Sequence, residues 1–152
     1  MEEYNPSATP MNQNEKFCKE DGAAKADERL CKTIIGCLMY LTTTRPDIMN
    51  VVSLLSRYMH CVSEIHFQAT KRIVRYVKGT INYGMRFCQV KNSTLHGYSD
   101  SDWAGFVDDM RSTSSSCFSF GSAIFSWCSK KQELIAQSTA EAEYVVAAPA
   151  VN

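Results

Sequence analysis

The sequence predicts an α+β fold: a small three-helix bundle followed by three antiparallel strands and one further helix. Three observations predict it. Apolar residues recur at spacings of three and four between Leu30 and Val77. After Gly79 the period shortens to two, and short alternating runs separated by polar turns follow. Further on, Ser138, Thr139, Ala140 and Glu141 have the spacing of a capping box that opens a helix.

Residues 1–26 carry Pro6, Pro10 and Gly22 among many polar groups, with no sustained apolar period, and read as an extended, frayed connecting segment. A first helix is expected from about Ala26, with Leu30, Ile34, Cys37, Leu38 and Leu41 as its apolar face. Thr44 is placed to cap a second helix, and Pro46 and Asp47 suit its first turn, which tolerates a missing N–H and favours negative charge. Its apolar face is expected at Ile48, Val51, Val52, Leu55 and Met59. Ser63 caps a third helix that runs to about Lys78 and is stopped by Gly79. Ile65, Ala69, Ile73, Tyr76 and Val77 form its apolar positions, and Lys71, Arg72, Arg75 and Lys78 its basic side. Short turns between the three make a bundle the expected packing.

Tyr83, Met85 and Phe87 alternate across residues 80–90, a strand-like signal that ends the helical region. The polar Lys91, Asn92 and Ser93 mark a boundary, so the chain is expected to comprise a connecting segment (1–26), a helical region with a terminal strand (27–92) and a sheet region (93–152). Strands are expected at 95–100, 114–120 and 123–128, the last two joined by a tight Gly121-Ser122 turn. In the final helix Ala140, Tyr144, Ala147 and Val151 would share one side. Pro149 is expected to kink or end that helix near Ala148, because an interior proline costs about 3 kcal/mol.

Composition narrows the function classes. Sixteen basic and sixteen acidic residues cancel, so no overall field favours a nucleic-acid partner. No apolar run is long enough to span a bilayer, and the acidic start Met1-Glu2-Glu3 is unlike a signal peptide. The seven cysteines include no C-x-x-C pair, which reads as reduced thiols in an intracellular, non-secreted chain without structural zinc. His60, His66 and His96 sit in no recognisable nucleophilic triad, and the seven glycines form no phosphate loop.

Two acidic motifs carry the chemistry. One is Gly97-Tyr98-Ser99-Asp100-Ser101-Asp102-Trp103-Ala104-Gly105, the other Ser138-Thr139-Ala140-Glu141-Ala142-Glu143-Tyr144. A strand-end Asp100 and a helix Glu143 can converge on one hard cation through oxygen ligands, as magnesium requires. Two such ions would activate water and stabilise a leaving oxygen in phosphodiester cleavage.

With these motifs stand Ile35-Gly36-Cys37-Leu38-Met39-Tyr40-Leu41-Thr42, Thr44-Arg45-Pro46-Asp47-Ile48, Arg75-Tyr76-Val77-Lys78-Gly79-Thr80 and Ser126-Trp127-Cys128-Ser129-Lys130-Lys131-Gln132. Together they resemble the Pol polyprotein of plant copia-type LTR retrotransposons over nearly the whole chain. The resemblance implies the thumb and connection region of a reverse transcriptase up to about residue 90, then the N-terminal half of a ribonuclease H domain, a truncated ribonuclease H-like mixed sheet. It makes Asp100 and Glu143 the catalytic, magnesium-binding carboxylates of an incomplete set; Asp102 and Glu141 fit less well. The parent reaction is hydrolysis of RNA in RNA–DNA hybrids. The remaining carboxylates of that enzyme would fall beyond Asn152 and the polymerase aspartates before Met1. Both polymerase and ribonuclease activity are therefore expected to be lost, leaving weak or absent magnesium binding. The departures at Ser115-Ser116 and Pro149 read as drift in a decayed copy, whether nuclear or organellar. The alternative is a non-catalytic fragment that binds RNA–DNA hybrid through Lys71, Arg72, Arg75 and Lys78, possible partners being other Pol fragments.

Overall fold

The computed structural model describes residues 5–13, 15–88 and 94–151. Among them lie α1 (Glu28–Leu41), a 3-10 turn (Pro46–Ile48), α2 (Met49–Ser56), α3 (Glu64–Gly79), β1 (Leu95–Ser101), β2 (Thr113–Phe120), β3 (Ala123–Lys131) and α4 (Thr139–Val151). The strands form one antiparallel sheet in the order β1-β2-β3. This is the α+β order expected, and it is compatible with a truncated ribonuclease H-like fold. By its contacts the chain divides into two compact units, Met1–Gly84 and Met85–Asn152. The boundary expected at Lys91, Asn92 and Ser93 lies outside the described residues.

In the first unit, the Asp27 carboxylate accepts the Leu30 N–H at 2.9 Å, so α1 starts at Glu28 rather than Ala26. The helix buries Cys31, Ile35 and Leu38, a face rotated by one position from that expected, and Leu30 is left 46% exposed. The helix is apolar round much of its girth, so periodicity alone does not choose the side. Packing chooses it: Cys31 Sγ lies 3.6 Å from Thr70 Oγ1 of α3. Ile35, Ile48, Leu55 and Ile73 meet in the core, each full burial stabilising by about 1.5–3 kcal/mol.

Thr44 does not cap the second helix. Its hydroxyl turns back to the Leu41 carbonyl, and the chain enters through the 3-10 turn, preceded by Arg45. Since α2 ends at Ser56, Met59 falls beyond it, and Tyr58 takes the buried place. In α3, Ile65 is exposed and Val77 only half-buried, while His66 and Thr70 join Ala69, Ile73 and Tyr76 inside. Ser63 caps α3 as expected: its Oγ accepts the His66 N–H, and His66 Nδ1 accepts the Ser63 N–H at 3.2 Å.

Residues 5–13 and 15–26 form no helix and no sheet strand, but they are strapped to the helices rather than frayed. The Phe17 ring is buried beside Tyr58 and His66, and its carbonyl accepts the Tyr58 hydroxyl at 2.7 Å. The Ser63 hydroxyl donates to Asp21, the Glu64 N–H reaches the Ala24 carbonyl at 2.8 Å, and the Ala26 N–H reaches Val62 at 3.1 Å. Lone apolar anchors in a polar segment carry no period, which is why this docking has no sequence signal.

A second polar knot closes the unit. Arg45 donates to both Asp47 carboxylate oxygens at 2.9 and 2.7 Å, and to the carbonyl and hydroxyl of Thr80 at 3.2 and 2.6 Å. The Tyr76 hydroxyl donates to Asp47 at 2.8 Å. The turn before α2 is thereby bonded to the end of α3.

Residues 83–88, which run across the division between the units, form no strand, and residues 89 and 90 of the expected run lie outside the described residues. Tyr83 and Phe87 are exposed, and alternation without a partner strand builds no ladder. The β2–β3 hairpin turns at Gly121, whose φ of +61° is the left-handed value a glycine takes without strain. A register shift between Phe118 and Ser119 bulges β3. The unbroken pairing Gly97↔Phe118, Ser99↔Ser116, Ser101↔Ser114 makes one sheet face rich in serine.

The Ser138 hydroxyl caps α4 through the Glu141 N–H at 3.2 Å, while the Glu141 carboxylate accepts the Gln137 N–H at 2.7 Å. The buried residues of α4 include Ala142 and Val146, while Tyr144, on the side expected to be shared with Ala140 and Ala147, is 75% exposed. Of the two outcomes expected at Pro149, an end near Ala148 does not occur: the helix continues through Pro149 to Val151. In the final turn a proline forfeits only one bond of a ladder that is already ending.

The Asp47 carboxyl is held below its ordinary value, first by the Arg45 hydrogen bonds and also by Tyr76, against the opposing effect of burial. Asp21 is likewise lowered, first by Ser63 and then by the Ala23 N–H. Both stabilise the fold fully above the unfolded carboxyl value near 3.8, and the contribution disappears as pH falls through the lower folded values. The thermal midpoint, followed by far-ultraviolet circular dichroism, should therefore fall between about pH 6 and about pH 3. Asp47→Asn should lower it at the higher pH and flatten its pH dependence; an unchanged slope would contradict this.

Candidate functional site

Four carboxylates come from the two acidic motifs, and the fold uses them differently. Asp102 follows β1 and accepts the Thr113 N–H, clamping a loop back onto the start of β2. That loop is tightly built. Ala104 and Met110 have φ of 52° and 56°, the Ala104 N–H reaches Ser112 Oγ at 3.2 Å, and Phe106 is buried. Lys131 lies 3.7 Å over the Phe106 ring and bonds Asp109 at 2.5 Å. Burial acts to raise the Asp109 carboxyl, but Lys131 and the Arg111 N–H hold it below the ordinary value. Glu141 is spent on the entry to α4, as described above.

Asp100 and Glu143 remain, and both are exposed. Asp100 pairs across the sheet with Ser115, one residue before the end of β1. Strand alternation puts it on the face opposite Ser99 and Ser101. Glu143 lies in the second turn of α4. That helix is held to the other face by Gln132, whose Nε2 lies 3.1 Å from Ser101 Oγ, 2.9 Å from Ser114 Oγ and 3.0 Å from the Ala142 carbonyl. The structure therefore brings the strand end and the helix together, while the carboxylates start from different faces. Among the described residues, no group of three or more His, Cys, Asp or Glu side chains is gathered to hold a metal ion.

Gln132 is the residue that sequence reasoning misses here. It sits in the polar run Lys130-Lys131-Gln132-Glu133, where nothing distinguishes it from a surface glutamine. Trp103 is missed as well; its indole N–H donates to the Ala136 carbonyl at 3.2 Å, tying the strand-end loop to the approach to α4.

Of the four cations of α3, Lys71, Arg75 and Lys78 line one groove, while Arg72 is turned away from it. Lys71 lies 4.0 Å over the Phe67 ring and 4.0 Å from Glu64. Arg72 is occupied by Thr9, donating to its carbonyl at 3.2 Å and its hydroxyl at 2.9 Å. The Arg75 carbonyl accepts the Ser7 N–H at 3.4 Å, and Lys78 is exposed in the last turn. Ser63, His66 and Asp21 do meet, yet they form a helix cap. His66 is 1% exposed and stacked on Tyr58 at 4.4 Å, so no substrate reaches it. Among the described residues, no helix is long and apolar enough to cross a membrane.

Asp102→Ala should cost about 1 kcal/mol by freeing the Thr113 N–H, and should raise hydrogen exchange across residues 102–113. Asp100→Asn should change stability by no more than about 0.5 kcal/mol. Equal destabilisation by the two would contradict the division of roles.

No family model matches the chain, and no solved structure matches it. Curated relatives do. The retrovirus-related Pol polyproteins from transposons RE1 and RE2 of Arabidopsis thaliana are 43% and 41% identical over 139 residues, which is 91% of this chain and 10% of each of those proteins. Secreted RxLR effector protein 161 of Plasmopara viticola is 42% identical over 119 residues, 78% of this chain and 84% of that protein. The chain thus spans about a tenth of the length of the Pol proteins it matches. Over most of its length the chain is homologous to these retrovirus-related Pol polyproteins from transposons.

Proposed function

We propose that the chain corresponds to the junction of reverse transcriptase and ribonuclease H in a copia-type Pol polyprotein. In that reading residues 27–92 derive from the thumb and connection region and residues 93–152 from the ribonuclease H domain. Asp100 and Glu143 are then two of the carboxylates for magnesium-dependent hydrolysis of RNA in RNA–DNA hybrids. One observation carries the reading. In a chain 43% identical to a transposon Pol protein, β1 carries an exposed acid one residue before its end, a hairpin follows, and α4 presents a second exposed acid after its cap.

The donor chemistry suits magnesium, a hard cation that takes oxygen ligands, but the donor set is too small. Magnesium demands an octahedral shell and sheds water reluctantly. Two carboxylates leave most of that shell to water, so the ion is not anchored and this chain alone does not hydrolyse hybrid. Nucleic-acid binding through α3 has the weaker case, because Arg72 is already bonded to Thr9.

A labelled RNA–DNA hybrid incubated with the purified chain should be cut no faster with magnesium than without it. Magnesium-dependent cleavage that Asp100→Asn abolishes would overturn the inactive reading. The family role has a separate test. A transposon RE1 Pol protein whose matching 139 residues are replaced by this sequence should cleave hybrid, and Asp100→Asn or Glu143→Gln in the chimera should abolish cleavage. Retained cleavage in both variants would remove these residues from the site.

A further inference from the structure

We propose that the groove between α1 and α3 is a docking site for an acidic amphipathic helix of a partner protein. The reasoning starts from α1, which is apolar on two sides. Cys31, Ile35 and Leu38 are buried in the bundle, while Leu30 is exposed and Ile34 half-buried on the adjoining face. With Phe67 and Val74 of α3 they floor an open groove of about 300 Å³ whose surface is mostly apolar. Leu30 and Ile34 stand four apart, and Phe67 and Val74 seven apart. These are the spacings at which one helix receives the apolar stripe of another.

The rim supplies the charge. Lys71, Arg75 and Lys78 line the groove at successive spacings of four and three. Lys71 is drawn over the Phe67 ring, and Glu64, 4.0 Å from Lys71, is the acidic group on the same helix that faces it. Arg75 Nε is shielded from water and has no acceptor among the described residues. An apolar floor beside a row of cations complements a helix with leucines on one side and glutamates flanking them. A nucleic acid is complemented less well. Its phosphates need a run of open cations, and Arg72 is turned to Thr9, outside the groove. The groove lies wholly in the helical unit, so the inference stands apart from the ribonuclease reading.

The test uses the full chain and a fluorescein-labelled synthetic helix of about 18 residues of leucine, alanine and glutamate, read by fluorescence anisotropy. Saturable binding is expected, weakened at least about tenfold by Ile34→Asp, the scale of one buried aliphatic contact. The double variant Lys71→Glu, Lys78→Glu should lose the acidic helix and bind its lysine-substituted counterpart. That exchange of preference cannot come from misfolding. No saturable binding, equal binding of the acidic and basic helices by the unmodified chain, or displacement of the peptide by an RNA–DNA hybrid or single-stranded oligonucleotide would overturn the proposal.

Discussion

The arrangement of the acidic residues depends on the amide of one buried glutamine. Gln132 is 5% exposed, and its Nε2 sits among Ser101 of β1, Ser114 of β2 and the Ala142 carbonyl of α4. Its own N–H bonds the Ser112 carbonyl at 2.8 Å. A carbonyl only accepts, so the Ala142 contact assigns the nitrogen of the amide to this position. The face beneath α4 carries Ser101, Ser114 and Ser116 beside Phe118, and its serine part gains little from burial under a helix. Each hydrogen bond contributes only about 0.5–1.5 kcal/mol net, but leaving the same groups buried and unpaired costs about 1–3 kcal/mol apiece. The two N–H groups of the amide spare strand and helix acceptors that loss, while its own Oε1 is buried with no partner among the described residues.

The helical unit is held by similar means at its ends and by apolar packing at its centre. Ser63 and Asp21 fasten the N-terminal strap to the start of α3, and Arg45, Asp47 and Thr80 fasten the turn before α2 to its finish. Between these knots Ile35, Ile48, Leu55 and Ile73 supply the burial. Losing a polar knot would loosen one end of α3; a cavity at Ile48 or Ile73 would loosen the whole unit.

What the sequence made legible follows from where local signals decide the structure. The Ser63 cap, the Gly121 turn and the three strands depend on near neighbours, and all appear where the pattern places them. The buried face of α1 depends on which of two apolar stripes meets α3, a tertiary choice that Leu30 and Ile34 lose to Cys31 and Ile35. The strand expected around Met85 fails for want of a partner. Phe17, Asp21 and Gln132 act singly and at long range, so no periodicity announces them. Asp100 and Glu143 are singled out by motif wording alone, and their role belongs to the proposed function. The structure adds that their neighbours Asp102 and Glu141 are engaged in backbone hydrogen bonds, which sets the first pair apart.

Hydrogen exchange of the Gln132→Leu variant, measured by NMR against the unmodified chain, tests this account most directly. Leucine keeps the volume and removes the amide. The account predicts that α4 loses protection together with the Ser101 end of β1 and the Ser114 end of β2, while the hairpin around Gly121 keeps its own. Unchanged protection in α4 would show that apolar packing of Ala142 and Val146 alone holds the helix, and would contradict it.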